Sequence, residues 1–267
     1  MKNSRNHDAN IRQTFTMSGK GPHHLLLVWL ILTGLIIFSL FIAWHEHILM
    51  LLYSGDKSRI SWAITLLYIL ITFHCGRRVW FISNQINASM SARNIILSEQ
   101  KPDIKLIEGN IYINDKTVLP ECILTDCIHD HIYKSNHTAK NGNFESLTGN
   151  TDLMEVYESR LKNPHEIGWF LTDLMIKLGL LGTIVGFVLM LGSVANVTDF
   201  DVNSMQHILK SMSAGMGTAL YTTFAGLVCS ILAGIQYHML DQGADELVQT
   251  ATHITQIYVL PKLKQQV

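Results

Sequence analysis

Four long apolar segments constrain the fold of this chain more than any other feature. The first, Leu25–Trp44, contains no Asp, Glu, Lys or Arg, and the others are Ile60–Cys75, Leu178–Val197 and Met212–Tyr237. A helix needs about 20 predominantly apolar residues to cross a bilayer, and helices satisfy their backbone hydrogen bonds internally, as the hydrocarbon requires. The sequence therefore predicts an all-α polytopic membrane protein with four transmembrane helices.

The low charge content agrees with this fold class. Only 15% of the 267 residues are charged, against roughly 25% in average soluble domains. The formal net charge is −1, so no overall field attracts nucleic acid or acidic substrates. The composition excludes a disordered protein and a nucleic-acid-coating protein.

Basic residues predict how the chain is oriented in the membrane. They are concentrated before the first span and between spans two and three, whereas the connection between spans three and four has Asp199 and Asp201 and no basic residue before Lys210. By the positive-inside rule, both termini and the long central segment are expected in the cytoplasm. The first apolar segment is too long for a signal-peptide core, and we expect it to stay as an anchor.

These spans divide the chain into five parts. They are a cytoplasmic N-terminal segment (1–23), a transmembrane hairpin (24–83), a cytoplasmic insert (84–163), an extended helix with a second transmembrane hairpin (164–240) and a cytoplasmic tail (241–267). Within the insert, 84–100 is predicted helical, the alternation over 104–118 predicts a small β-hairpin, and the polar stretch 134–152 predicts a loop. Asn163-Pro164 is typical of a helix start.

A group of cysteines and histidines in the insert has the side chains that zinc accepts. Its members are Cys122, Cys127, His129, His131 and His137. The spacing matches no common zinc motif, and a motif without its structural context is weak. We interpret them as packed thiols and surface histidines, and we expect no metal and no disulfide on the cytoplasmic side.

Small residues recur at helical spacing in the last two spans. Gly179, Gly182 and Gly186 lie in the third span, and the fourth has Gly215, Ala219, Thr222, Gly226, Ser230 and Gly234 at intervals of three or four. Such intervals form one face of a helix. Small faces let helix backbones approach closely in lipid, so we expect these spans to pack against each other.

The same two spans have no Asp, Glu, Lys or Arg. None occurs between Leu178 and Asp199 or between Ser211 and Leu240, where hydroxyls are the most frequent polar side chains. A protein that moves protons usually has a carboxylate at membrane depth. If this chain conducts protons, the titrating acid is expected to come from another chain.

At this point two motifs show a family resemblance. Leu178–Gly186 (LGLLGTIVG) resembles the third-span signature GLxGTxxG of the MotA/TolQ/ExbB proton channel family, and Gly215–Leu227 resembles its last-span signature. The four-span layout with a long insert resembles the MotA side of the family. Thr218 stands where ExbB-like members have a Glu, and no Pro follows Gly226, so the branch and the ion stay open between proton and sodium.

The resemblance implies a function in the bacterial inner membrane. Copies of the chain, five by family likeness, would form a ring around a single-span MotB/ExbD/TolR-like partner that carries the titrating Asp. The ring would couple the ion motive force to mechanical or transport work. It implies that Thr183 and Thr223, with Thr222 and Thr218, line the ion pathway. Gly179, Gly182, Gly186, Ala219 and Gly226 would hold the pore helices together.

Alternatives remain open from the sequence. A non-conducting membrane scaffold would use the small faces only for assembly, and a small-solute transporter would show midplane prolines or repeated spans, which this sequence lacks. Asp173 and Lys177, spaced i, i+4, are expected near the cytoplasmic mouth, either as a surface pair or at the ion entrance. No catalytic or phosphate-binding motif is present, so we expect neither an enzyme nor a cofactor.

Overall fold

A computed structural model of the chain describes residues 23–98, 104–107, 110–113, 117–141, 150–195 and 202–259. It contains six α-helices within those ranges. They are α1 (His24–His45), α2 (Ile48–Gly55), α3 (Ile60–Ser98), α4 (Ile123–Asn141), α5 (Asn150–Ala195) and α6 (Val202–Ile254), followed by a π-helical turn at Thr255–Val259. A small sheet of β1 (Ile104–Ile107), β2 (Asn110–Ile113) and β3 (Thr117–Val118) lies between α3 and α4.

Four of these helices are long and apolar enough to cross a membrane, which confirms the predicted fold class. The candidate spans are His24–His45, Ile60–Ile96, Met154–Gly192 and Met205–Ile257. Three of them are longer than the apolar segments from which they were predicted, because each helix continues without a break into polar sequence. Residues 84–98 of the expected insert therefore belong to the same helix as the second span.

The small β-hairpin expected over 104–118 is present. β1 and β2 pair antiparallel, with Ile104 opposite Ile113 and Ile107 opposite Asn110. β3 adds a third strand on the other edge of β2. Ile111 of β2 is buried with Leu124, Ile128 and Ile132, which share one face of α4, and with the end of α6 at Ile254. The sheet and α4 thus pack on the non-membrane ends of α3 and α6.

Two expectations about the insert are wrong. The stretch 134–152, predicted as a loop, is helical up to Asn141 and again from Asn150, while 142–149 lies outside the described residues. Its polar composition did not prevent helix formation, because no Gly or Pro interrupts α4 before Gly142 and the apolar face preceding it is already docked.

The helix expected to begin at Asn163-Pro164 begins at Asn150, and Pro164 lies inside it. Proline has no N–H for the carbonyl four residues before it and disturbs that turn of the helix. Within the turn, the Leu161 carbonyl oxygen accepts a hydrogen bond from the Arg78 guanidinium of α3 at 2.9 Å. This contact from a neighbouring helix anchors the turn that contains Pro164, which a pattern read along one segment does not reveal.

The short connection between α2 and α3 is organised around a buried carboxylate. Asp56 is 4% exposed and accepts hydrogen bonds from the Ser58 amide at 2.9 Å, the Ser58 hydroxyl at 2.6 Å and the Ser61 amide at 2.8 Å. Burial by itself raises the pKa of Asp56, but the bonds from Ser58 and Ser61 outweigh it and hold the pKa below its ordinary value. Asp56 thereby caps the start of α3.

Replacing this carboxylate is expected to weaken the fold at neutral pH. Because the pKa of Asp56 is lowered by folding, its stabilisation is present above the unfolded value of about 4 and is lost as the pH falls through the folded value. Asp56→Asn should therefore cost about 1–2 kcal/mol at pH 7 and remove this component of the acid sensitivity. Unfolding of the detergent-solubilised protein against pH measures both. Glu46→Gln, at an exposed carboxyl in the preceding turn, is the control, and an equal effect there would contradict the role of Asp56.

Candidate functional site: the α5–α6 hairpin

Helices α5 and α6 pack so closely that their backbones touch at glycines. A Cβ atom placed on Gly186 would lie 2.6 Å from the Ala219 backbone nitrogen, and one on Gly215 would lie 2.8 Å from the Gly186 carbonyl oxygen. Further along, a Cβ on Gly226 would lie 2.8 Å from the Met175 carbonyl oxygen. The expected close packing of the two small faces is therefore what the structure shows. The face does not extend to Gly234, where an added Cβ would meet no atom within 4 Å.

Gly179 and Gly182 belong to the same contact. A Cβ on Gly179 would lie 3.2 Å from the Thr222 carbonyl oxygen, and one on Gly182 would overlap the Thr222 side chain. Thr222 is completely buried, and its hydroxyl donates within α6 to the carbonyl oxygens of Thr218 at 2.9 Å or Ala219 at 3.1 Å. Within one chain, Thr222 fills the space that Gly182 leaves.

Thr218 has a different environment. Its side chain is also completely buried, and its hydroxyl oxygen lies 3.1 Å from the Gly55 carbonyl oxygen and 3.0 Å from the Ala214 carbonyl oxygen. It accepts a hydrogen bond from the Lys57 amide at 3.2 Å. Thr218 thus links the α2–α3 connection to α6 through hydrogen bonds. These contacts within the chain satisfy the hydrogen-bonding capacity of its hydroxyl.

Thr183 and Thr223 are the predicted pathway threonines that keep part of their surface uncovered. The Thr183 hydroxyl donates to the Leu180 carbonyl oxygen at 2.6 Å. The Thr223 hydroxyl lies 3.1 Å from the Ala219 carbonyl oxygen of its own helix and 3.3 Å from the Gly179 carbonyl oxygen of α5. A hydroxyl has one proton and two acceptor lone pairs, so each oxygen can still accept a hydrogen bond from water or face a cation.

Polar contacts that the sequence did not indicate join the other end of the hairpin. His165 Nδ1 lies 2.7 Å from one oxygen of Asp241, and the Trp169 indole N–H donates to the other oxygen at 2.8 Å. One turn away, the Tyr237 hydroxyl lies 2.8 Å from His74 Nδ1 of α3. These residues come from three helices far apart in the sequence, so no local spacing could have identified them. These contacts hold α5, α6 and α3 together at the end of the hairpin that is farther from Thr183.

The antiparallel register of the hairpin fixes where Asp173 and Lys177 lie. Gly168 faces Tyr237, Gly179 faces Gly226, and Gly186 faces Ala219. Asp173 therefore lies midway between the polar contacts at Gly168 and the glycine contact at Gly179. It is ion-paired with Lys177, and the two side chains are 57% and 63% exposed on the single chain.

The cysteines and histidines of the insert do not converge on one point. Among the residues that the structure describes, no three His, Cys, Asp or Glu side chains could hold a metal ion together. The Cys122 sulfur contacts the Thr125 hydroxyl at 3.2 Å, whereas Cys127 lies near Met154 and Thr255. Burial raises the pKa of the Cys127 thiol to about 11. The side chain of His137 lies outside the described residues.

Four apolar helices, of which two form a close-packed hairpin free of charge over its glycine contacts, define a multi-pass membrane protein. Residues 151–252, somewhat over a third of the chain, match the MotA/TolQ/ExbB proton channel family. The match covers α5 and almost all of α6, which carry both signatures, and it confirms the resemblance seen in the sequence. No curated protein and no solved structure matches the chain. In this segment, the chain is a membrane protein of the proton-channel type.

Proposed function

We propose that this chain is the channel-forming subunit of an ion-driven membrane motor complex. Copies of the chain, five in number, form a ring in the bacterial inner membrane with both termini in the cytoplasm. A single-span partner of the MotB/ExbD/TolR type occupies the ring and brings the titrating Asp. The proton motive force, or a sodium gradient, is converted into mechanical or transport work.

The observation that carries this proposal is the α5–α6 hairpin within the family match. Its two helices touch through glycines and contain no Asp, Glu, Lys or Arg from Leu178 to Ala195 and from Ser211 to Leu240. A hairpin of this kind can line an ion pathway but cannot itself transfer a proton, because proton transfer at membrane depth needs a titrating group. The hairpin has two partly exposed threonines, Thr183 and Thr223. We therefore assign the ion contact to these two threonines and a packing role to Thr218 and Thr222.

The proposal predicts that proton flux needs both chains. Liposomes that contain only this protein should show no flux above empty liposomes, since no group can carry a proton past residues 178–195 of α5. Liposomes that also contain the partner should conduct. The partner is recognised by its chemistry, as a product of a neighbouring reading frame with one apolar span and a single Asp in it. A pH-sensitive dye inside the liposomes measures the flux.

Native mass spectrometry of the same preparation tests the assembly. A ring of five should give five times the 30.1 kDa mass of the chain, with added mass when the partner is present. Strong flux through the chain alone would contradict the assignment of the titrating acid to a partner. An assembled complex that never conducts would instead favour the non-conducting scaffold.

A further inference from the structure

The Asp173–Lys177 ion pair lies at the depth of the membrane spans. Tyr237, level with Gly168 of α5, contacts His74 near the end of the second apolar segment. Thr218, near the other end of the hairpin, contacts Lys57 just before that segment begins. The stretch of α5 that contains Asp173 and Lys177 therefore runs beside the charge-free segment Ile60–Cys75 of α3.

Helix α1 gives the same depth independently. Leu25, the first residue of its charge-free segment, contacts Gly243 of α6, and Trp29 contacts Gly76 of α3. By the hairpin register, Asp173 is level with Leu232, eleven residues from Gly243. At 1.5 Å per residue this is about 16 Å along the axis, roughly half of the ~30 Å hydrocarbon core. The ion pair is thus near the middle of the bilayer that α1 defines.

This pair is exposed on the single chain, although it lies at hydrocarbon depth. Asp173 and Lys177 are on the side of α5 that faces away from α6, since the α6 contacts are made by Gly168, Gly179 and Gly186. Charged side chains in membrane spans face protein or a water-filled cavity because contact with lipid is costly. Burying both ions in a dry contact would also be unfavourable without further partners. Contact with water solvates both charged groups with a smaller free-energy penalty than lipid or a dry protein contact.

Asp173 lies on a side of α5 next to that of Thr183, the proposed ion contact. Ten residues separate Asp173 from Thr183, so the two side chains are within about 80° of each other around the helix and about 15 Å apart along it. Between Glu166 and Asp199, Asp173 is the only carboxylate in the sequence. Rings of charged side chains are one way in which channels control passing ions.

We infer that Asp173 and Lys177 line the water-filled lumen of the assembled ring, where Asp173 is a second carboxylate on the ion pathway, supplied by the ring itself. The inference rests on the proposed function and extends it. The partner's Asp would exchange the ion beside Thr183 and Thr223, and Asp173 would stabilise the cation or accept the proton between that point and the far end of the lumen. The uncharged stretch of α5 that begins at Leu178 still lies between Asp173 and the opposite surface.

Thiol labelling in intact membranes tests the location without any need for transport. Asp173→Cys and Lys177→Cys are made in a chain whose four native cysteines are replaced by serine, and a charged, membrane-impermeant thiol reagent is added. Leu35→Cys is the control, because Leu35 is 64% exposed and lies on α1 at the same depth. We expect positions 173 and 177 to react at least about ten-fold faster than position 35. Equal rates, or protection from the reagent with cross-linking between copies, would overturn the inference.

Flux measurements then test the role of the carboxylate. In liposomes that contain the chain and its partner, Asp173→Asn is expected to reduce proton flux about ten-fold or more, whereas Asp173→Glu should retain most of it. Unchanged flux in Asp173→Asn, together with normal assembly, would overturn the ion-pathway role and leave the proposed function intact. Absence of flux in the wild-type complex would instead reject the proposed function, and the labelling result would show separately whether the pair faces water.

Discussion

Thr223→Val is expected to abolish most of the ion flux of the complex without disturbing its assembly. Valine has nearly the same shape as threonine but no hydroxyl, so it can neither accept a hydrogen bond from water nor face a cation. The Thr223 oxygen lies where α5 and α6 meet, 3.3 Å from the Gly179 carbonyl oxygen. Losing one hydrogen bond of about 1.4 kcal/mol in the rate-limiting step lowers the rate roughly ten-fold. Dye-based flux and native mass spectrometry measure the two properties.

Neighbouring substitutions show whether the hydroxyl or the packing is responsible. Thr223→Ser keeps the hydroxyl and should conduct. Thr222→Val removes a hydroxyl from the adjacent position, but Thr222 is completely buried and bonds within its own helix, so we expect flux within about two-fold of wild type in the assembled fraction, since a spared hydrogen bond leaves the barrier almost unchanged. Equal losses at 222 and 223 would assign Thr223 to packing.

Gly186→Ala is expected to separate α5 from α6. The added Cβ would lie 2.6 Å from the Ala219 nitrogen and 2.7 Å from the Gly215 carbonyl oxygen. Both are backbone atoms, so no change of side-chain rotamer relieves the overlap and one helix must move. Overpacking of this kind costs about 1–3 kcal/mol, and in lipid close packing is the main force that holds helices together. We expect a lower temperature of heat-induced aggregation in detergent and a loss of assembled complex.

The chain contains a matched control for this substitution. Gly234→Ala makes the same chemical change in α6, but no atom lies within 4 Å of the added Cβ. Because alanine is the better helix former by about 1 kcal/mol, Gly234→Ala should be neutral or slightly stabilising. If Gly186→Ala behaves like Gly234→Ala, the helix contact is not tight and the interpretation of the small-residue face is wrong.

The spans and the hairpin could be predicted from the sequence for clear physical reasons. A long apolar segment in hydrocarbon is expected to be helical, because the backbone must satisfy its own hydrogen bonds. The periodic small residues of the last two spans favour close packing of these helices on each other. The alternation over 104–118 was similarly informative, because a hairpin is a local structure whose strands adjoin in the sequence.

Helix ends were less predictable. The helix start expected at Pro164 was wrong because the helix continues through the proline, in a turn that Arg78 of α3 contacts at the Leu161 carbonyl oxygen. The loop expected over 134–152 was wrong in part because polar composition does not exclude a helix whose apolar face is already anchored. Both errors concern contacts between segments that are far apart in the sequence.

The sequence by itself determined the class of this protein, the four spans, the small-residue faces and the two family signatures, because each is a property of one segment in its solvent. Only the tertiary structure decided which threonines stay partly exposed and which parts of α6 and α3 lie level with Asp173. Thr218 hydrogen-bonds to Gly55 and Thr222 packs against Gly182, and the position of Asp173 follows from the register of α5 against α6 and α3. Register between helices is set by side-chain packing across the whole bundle, and no single segment records it.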